Sequence, residues 1–224
     1  MTKFTREAMK GNVLVIAIMC MFFLGACACQ AGAVSMGPYV DISSGSGTFE
    51  WDVSGYQFDV ESESVAVGFA LDTAVTNQSF FNYRLNIGFE GRELEDEEHL
   101  TLDLDGVVFD NIFGFALVQG SYFRWWAGPL VRVGFSTGET DTLYMPNGVP
   151  YKNEFEFLQA GFGVATGINF SLGHNLTLTS SIGARFNVAY GTGETTYLDD
   201  TNAHVKEDLF GDSTDLFVNF AVLF

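Results

Sequence analysis

Residues 176–190 read Leu-Thr-Leu-Thr-Ser-Ser-Ile-Gly-Ala-Arg-Phe-Asn-Val-Ala-Tyr, and this stretch decides the fold class. Its even-numbered positions are mostly apolar, from Leu176 to Tyr190, whereas its odd-numbered positions are polar or small and include Arg185. Successive side chains of a β-strand point to opposite faces, so this alternation predicts a strand with one apolar and one polar face.

The same alternation recurs along the chain. Clear segments cover 64–72, 81–90, 123–136, 158–172 and 216–224, and weaker ones cover 39–50 and 107–118. Segment 107–118 is apolar on both faces, so its sequence does not predict which face points into the barrel. Short connections at 73–78, 119–122 and 173–175 alternate with polar, acidic ones at 51–63, 91–106, 137–154 and 191–213. These features predict eight antiparallel strands in an up-and-down barrel.

Composition excludes several classes of function. The 224 residues include 28 acidic and 10 basic side chains, which gives a net charge of −18. A chain this acidic repels phosphate, so nucleic acid is excluded as a partner. Hydrophobic residues nevertheless make up 47% of the chain, which excludes an acidic disordered protein.

The N-terminus predicts a signal peptide over residues 1–33, followed by a barrel domain over 34–224. Three basic residues precede an uncharged, mostly apolar run at 13–24, and small residues follow at 25–33. Cleavage after Ala33 or Ala28 fits this pattern, and Leu24-Gly25-Ala26-Cys27 also resembles a lipoprotein box that would be acylated at Cys27. All three cysteines lie in this segment, so cleavage after Ala33 would leave no disulfide, thiol nucleophile or cysteine metal site.

An alternating barrel of eight strands has two possible orientations of its faces. In a soluble barrel the apolar faces point inward, and in a membrane barrel they point toward lipid. Here each apolar face carries about five to eight large side chains, too many for the narrow interior of an eight-stranded barrel. The sequence therefore predicts an all-β, transmembrane barrel with its polar face enclosed.

The C-terminal stretch, residues 216–224, adds a resemblance to a family. It alternates apolar residues up to a terminal aromatic: Leu216, Val218, Phe220, Val222 and Phe224. This pattern resembles the C-terminal signal of Gram-negative outer-membrane β-barrel proteins, in particular the small eight-stranded group typified by outer-membrane proteins A, X and W. The resemblance implies an outer-membrane location, contact with outer-membrane lipids and lipopolysaccharide, and recognition of these five residues by the barrel-assembly machinery. We expect a monomer without a cofactor.

Charged residues on the polar faces must find partners inside the barrel, because an unpaired buried charge is costly. Counting along the strands predicts one layer of ion pairs formed by Arg132, Arg185, Glu90 and Asp215, with Arg185 beside Asp215. A lower layer is predicted to pair Asp41 with Arg84. Such pairs either fill the lumen structurally or form a gated polar path, and we favour the structural interpretation.

Two further groups of residues are candidates for ligand chemistry. Glu95, Asp96, Glu97 and Glu98 offer oxygen ligands for Ca²⁺ or Mg²⁺, but they lack the spacing of a dedicated calcium loop, so a solvated acidic loop is favoured.

The histidines, His99, His174 and His204, fall in predicted loops or turns, and only His204 has an acid and a serine nearby in sequence, Asp208 and Ser213.

Three functions remain open from the sequence. The first is a structural or surface-interaction protein with acidic extracellular loops, the second a narrow pore for small solutes, and the third a lipid A-modifying enzyme. Fold alone does not separate them. The weak catalytic constellation makes us expect that the protein is not an enzyme.

Overall fold

The computed structural model describes residues 34–52, 55, 57–73, 80–96, 101–140, 142–145, 148–173, 176–198 and 203–224. The predicted signal peptide lies outside these residues. The regular elements are strands: β1 (Ser35–Trp51), β2 (Gln57–Asp72), β3 (Phe81–Asp96), β4 (Thr101–Gln119), β5 (Phe123–Glu139), β6 (Leu143–Tyr144), β7 (Pro150–Gly173), β8 (Leu176–Tyr197) and β9 (His204–Leu223). Within the described residues, no helix is both long and apolar enough to cross a bilayer.

The eight long strands form a closed antiparallel ring. Each pairs with its neighbour in the chain, β5 pairs with β7, and β9 returns to pair with β1. Following the register once around from Met36 returns to β1 at Ser46, ten residues further along. A stagger of this size implies strands tilted by about 40° to the barrel axis. The predicted eight-stranded, up-and-down barrel is confirmed.

The apolar faces point outward, as predicted. Phe162, Ile182 and Val222 are 65%, 56% and 37% exposed, whereas Arg132 and Arg185 are at most 1% exposed. The segment that the sequence could not orient turns its even-numbered residues inward: Val108, Asp110 and Ile112 are buried. The outer wall is therefore a continuous apolar band around a polar interior.

The two ends of the barrel differ. We call the end at which β1 begins and β9 ends the basal end, and the opposite end the acidic end. At the acidic end the four long connections predicted from the sequence are largely strand, because the strands on either side of them run to residues 51 and 57, 96 and 101, 139 and 150, and 197 and 204. The predicted loops are thus corrected to strand extensions that carry the barrel wall beyond the apolar band.

The sequence pattern did not predict these extensions, because their apolar residues point inward whereas those of the lipid-facing segments point outward. On β4, Leu102 and Leu104 point inward while Asp103 and Asp105 point outward, whereas lower on the same strand Val107 points outward. A wall with water outside buries its apolar side chains inward, as an ordinary soluble protein does. The sequence therefore contains the strands, but not in the pattern expected for a lipid-facing segment.

Candidate functional site

The lumen contains a network of charged side chains at mid-height. Arg132 Nη1 donates to Asp110 at 3.1 Å, and its Nη2 donates to Glu90. Ser64 Oγ donates to the same Glu90 oxygen at 2.9 Å. Arg132 is fully buried, so both carboxylates are held close to a charge that water does not screen.

The network continues across the lumen through Arg92 and Arg185. Arg92 Nη2 lies 3.5 Å from Glu90 and 3.4 Å from Asp215. Arg185 Nε lies 3.5 Å from Asp215, and its Nη1 lies 3.1 Å from Asp41. The structure thus brings Arg132, Arg185, Glu90 and Asp215 into one connected set, with Arg185 and Asp215 facing each other on adjacent strands.

A separate charged cluster lies nearer the basal end. Arg84 donates to Asp72 through Nε at 2.9 Å and through Nη2 at 2.8 Å. Arg84 Nη2 and Trp126 Nε1 both donate to Asn169 Oδ1, at 3.1 and 3.0 Å. The Arg84 guanidinium also lies 5.1 Å from the centre of the Trp126 ring, a distance at which a cation–π attraction contributes.

The predicted pairing of Asp41 with Arg84 is wrong. Asp41 is bound to Arg185, and Arg84 is bound to Asp72. The cause is the stagger of ten residues around the ring, which shifts equal counts along two strands to different heights.

Sequence reasoning also missed four luminal charges. Arg92 fell in a predicted loop, Asp110 in the segment that could not be oriented, and Asp72 and Arg124 at strand ends. An available signal was Asp110 itself, since a carboxylate two residues from Val108 and from Ile112 in a membrane strand is tolerated only on the inward face. That residue alone would have oriented β4.

Small residues make room for these large side chains. A Cβ atom added at Gly163 would collide with Arg185 and the backbone of Ala184, and one at Gly167 would meet the ring of Trp126. Glycine on this face of β7 is therefore required by close approach.

An apolar cluster, here called the cap, closes the lumen toward the acidic end. Its buried members come from six strands: Phe49, Val60, Leu94, Leu104, Phe155, Phe157 and Leu209. Phe157 packs edge-on against Phe49 at 5.6 Å between ring centres and stacks with Phe155 at 6.0 Å. Hydrated ions cross such a constriction only if it opens.

The outer surface of the acidic end carries a row of carboxylates in direct cross-strand register. The row crosses β2, β3, β4, β5, β7 and β8, and its members are Glu63, Glu93, Asp103, Glu139, Glu154 and Glu194. Like charges directly opposite each other in a sheet are mutually destabilising. On β9, the residue directly opposite Glu194 is Lys206, which ends the row. The acidic end therefore presents a repulsive, strongly negative surface.

The two described candidate metal-binding residues, Glu95 and Asp96, do not share a face. Glu95 and Asp96 are consecutive on β3, so their side chains point to opposite sides of the wall, and Glu97 and Glu98 lie outside the described residues. Among the described residues, no group of three or more histidine, cysteine, aspartate or glutamate side chains is placed to hold a metal ion.

The candidate catalytic residues are not brought together. His204 lies on the outer face of β9, where Nδ1 is 3.0 Å from Glu194 Oε1 and 3.0 Å from Thr196 Oγ1. Ser213 faces the lumen and accepts from Asn187 at 3.3 Å. His204, Asp208 and Ser213 thus form no triad, because Ser213 is on the other side of the wall. His99 and His174 lie outside the described residues.

The residues of the predicted assembly signal occupy the lipid-facing side of β9. Leu216, Phe220, Val222 and Phe224 are exposed, while the inward positions include Phe217 and Asn219. The chain end is held to the start of β1 by reciprocal backbone bonds between Met36 and Phe224 of 3.1 and 3.0 Å. The signal residues therefore line the seam that closes the ring.

A closed antiparallel ring with an apolar outer band and an enclosed polar interior defines an integral outer-membrane β-barrel. No protein-family model matches the chain, and no curated protein matches it. It is similar in structure to the outer membrane protein OprG from Pseudomonas aeruginosa, with a TM-score of 0.49 and 10% identity over 84% of this chain and 96% of that one.

Two further solved structures are similar. For a major outer membrane protein from Thermus thermophilus the TM-score is 0.44 and the identity 13%, with 85% of this chain and all of that one covered. For Neisserial surface protein A the TM-score is 0.32 and the identity 13%, with 84% of this chain and 98% of that one covered.

Proposed function

We propose that the protein is a sealed barrel that anchors an acidic surface outside the outer membrane, with a structural or surface-interaction role. The supporting observation is the contrast between a lumen whose charges are covered and paired and an outer surface whose carboxylates face water. A pore requires a hydrated path through the interior. A surface that binds requires exposed groups, and these lie outside the ring.

The interior argues against conduction at three heights. At the basal end, Arg84, Arg124 and Trp126 are fully buried. Above them, Ile112, Leu130 and Phe217 form an apolar layer with Trp126. The cap closes the opposite end.

The proposed orientation places the acidic end outside the cell and the basal end in the periplasm. Acyl chains then contact the apolar band, and lipopolysaccharide in the outer leaflet surrounds the row of carboxylates just above it. The outward residues of β9 are the segment that the assembly machinery would read. A negative surface of this density repels anionic solutes and favours cationic partners.

Bilayer recording tests the sealed lumen. We expect no single-channel steps from the purified barrel in molar salt, under conditions in which a general porin conducts. Reproducible steps of constant amplitude would establish the narrow pore instead.

Cysteine labelling tests the orientation. We expect Thr142→Cys, at the acidic end, to react with a membrane-impermeant maleimide on intact cells, and Ser121→Cys, at the basal end, to react only after lysis. The unsubstituted chain supplies the background. The reverse pattern would overturn the proposed topology.

A further inference from the structure

Above the cap, the described ends of β7 and β8 continue upward and keep the inward phase of the strand positions below them. Tyr151 and Asn153 share the inward phase of Phe155, and they pair across strands with Tyr197 and Thr195. The two tyrosine rings are 6.4 Å apart, and Thr195 Oγ1 donates to Asn153 at 2.8 Å. These four side chains are half-buried rather than enclosed.

Trp51 forms the floor of this surface. Its ring reaches from β1 across Gly193 on β8, where an added Cβ would collide with it, and it packs 5.9 Å from Phe155. We call the surface formed by Trp51, Tyr151, Asn153, Thr195 and Tyr197 the aromatic face. It is a rigid platform, because its strands are paired in unbroken register down to the cap.

The charge around the aromatic face is almost wholly negative. Glu139, Glu154 and Glu194 lie on the outer side of β5, β7 and β8, directly opposite one another across the strands. The described cations nearby are Lys152, which is 3.1 Å from Glu139, and Lys206 beside Glu194. An anionic ligand is repelled here, and a cationic one is attracted.

In the lumen of this protein, an aromatic ring and a carboxylate together bind an arginine side chain. Arg185 lies 5.0 Å from the centre of the Phe217 ring while it binds Asp41 at 3.1 Å. Arg84 makes the equivalent pair of contacts with Trp126 and Asp72. At the acidic end the rings and carboxylates are present, but the described residues there include no arginine.

We propose that the aromatic face docks a basic peptide segment of a partner protein, with guanidinium or ammonium groups placed over Tyr151, Tyr197 and Trp51. The proposal rests on the surface-interaction role proposed above and names its partner. A peptide fits better than a small amine, because a chain that crosses the rim of the wall can place one cation over the rings and others against the outer carboxylates, and linked contacts multiply affinity. Charge complementarity brings the segment in, and the aromatic rings fix its position.

The test measures binding of a fluorescent peptide of alternating arginine and glycine to the barrel in phosphatidylcholine nanodiscs. We expect salt-sensitive binding that Tyr151→Ser with Tyr197→Ser weakens about tenfold, since two cation–π contacts are lost. Tyr151→Phe with Tyr197→Phe keeps the rings and should retain binding. Tyr122→Ser removes an exposed tyrosine at the basal end and should change nothing. A gel shift between unboiled and boiled samples verifies folding of each variant.

Three results would overturn the proposal. Binding that is unchanged by loss of both tyrosines would place the peptide on the row of carboxylates alone, and the surface-interaction role would survive. Equal binding of a peptide with glutamine in place of arginine would show that charge does not select the partner. No binding at low salt would remove the docking site, whereas the sealed lumen and the topology are judged separately by conductance and labelling.

Discussion

Two halves of one strand, β7, follow opposite rules. At 158–162 the chain turns Leu158, Ala160 and Phe162 outward and Gln159 and Gly161 inward. At 154–157 it turns Glu154 and Glu156 outward and Phe155 and Phe157 inward. The backbone geometry is the same, so the medium on each side of the wall decides which residues face it. Within the bilayer the apolar side chains face outward, and above it they face inward, as in a soluble protein.

The two halves also differ in how charge is balanced. Inside the lumen, five arginines face five carboxylates: Arg84, Arg92, Arg124, Arg132 and Arg185 with Asp41, Asp72, Glu90, Asp110 and Asp215. Toward the acidic end, seventeen further described carboxylates lie on the outer surface or above the cap, against Lys152 and Lys206. Charges are neutralised where water is excluded and left unbalanced where it is present. Single substitutions in the two halves therefore have different expected effects on stability.

The largest effect is expected for Arg185→Met. It leaves Asp41 without its cation and Asp215 with Arg92 alone, and breaking a buried pair typically costs about 3–5 kcal/mol of unfolding free energy. Denaturant unfolding in micelles measures it. Lys206→Met, which removes an exposed cation, should stay within about 0.5 kcal/mol. Equal midpoints for the two variants would show that luminal charges are not needed for stability.

The next effect is expected in the cap. Leu104→Ala should lower the unfolding free energy by about 2–4 kcal/mol, because a cavity forms among rings that cannot collapse into it. Leu216→Ala on the lipid-facing side of β9 is the matched control and should lose less, since acyl chains fill the space. A larger loss at Leu216 would mean that the cap is not a packed core.

A smaller effect, of opposite sign, is expected for Glu93→Gln. Glu93 lies between Glu63 and Asp103, so its neutralisation should raise stability by about 0.2–1 kcal/mol at low salt. The gain should disappear near 1 M salt, where the Debye length is about 3 Å.

Glu90→Gln, three residues away on the same strand, is the internal control. Glu90 faces the lumen and binds Arg132, so this change should destabilise the barrel at every salt concentration. A common sign for Glu90→Gln and Glu93→Gln would break the contrast between the two faces.

The smallest effect is expected for Lys152→Met. Its bond to Glu139 is partly exposed, and such surface pairs contribute about 0–1 kcal/mol. Thermal unfolding should therefore be almost unchanged. A large loss would show that the acidic end depends on its few cations for folding, and not on the cap.

The strands within the bilayer could be predicted from alternation alone, because lipid outside and polar side chains inside impose one phase on all of them. The orientation of β4 could not be predicted from alternation, because both faces of this strand carry apolar residues. Val108 and Ile112 lie on the inward face, and further apolar residues lie on the outward face. The ion pairs could be predicted only if the stagger of the ring were known. The stagger is set when the ring closes, and no local sequence pattern reports it. Asp41 and Arg84 were misassigned for this reason.

The strand extensions at the acidic end could not be predicted, because their side chains do not follow the pattern of a lipid-facing strand. Glu154 falls in a predicted connection because the polar, acidic stretch 137–154 lacks the lipid-facing pattern, and the alternate Phe155 and Phe157 are too few to extend the predicted strand at 158–172 to it. The aromatic face escaped notice because Tyr151 and Tyr197 are distant in sequence and become neighbours only through the register of β7 and β8.

The concentration of carboxylates at one end bears on how the barrel enters its membrane. With that end outside, every hairpin must carry its acidic tip through hydrocarbon during insertion, and each ionised group resists that transfer. Unassisted insertion into pure lipid vesicles should therefore be slow at neutral pH and accelerate when acid protonates the tips. Translocation, rather than strand pairing, is then the step for which this chain most needs help.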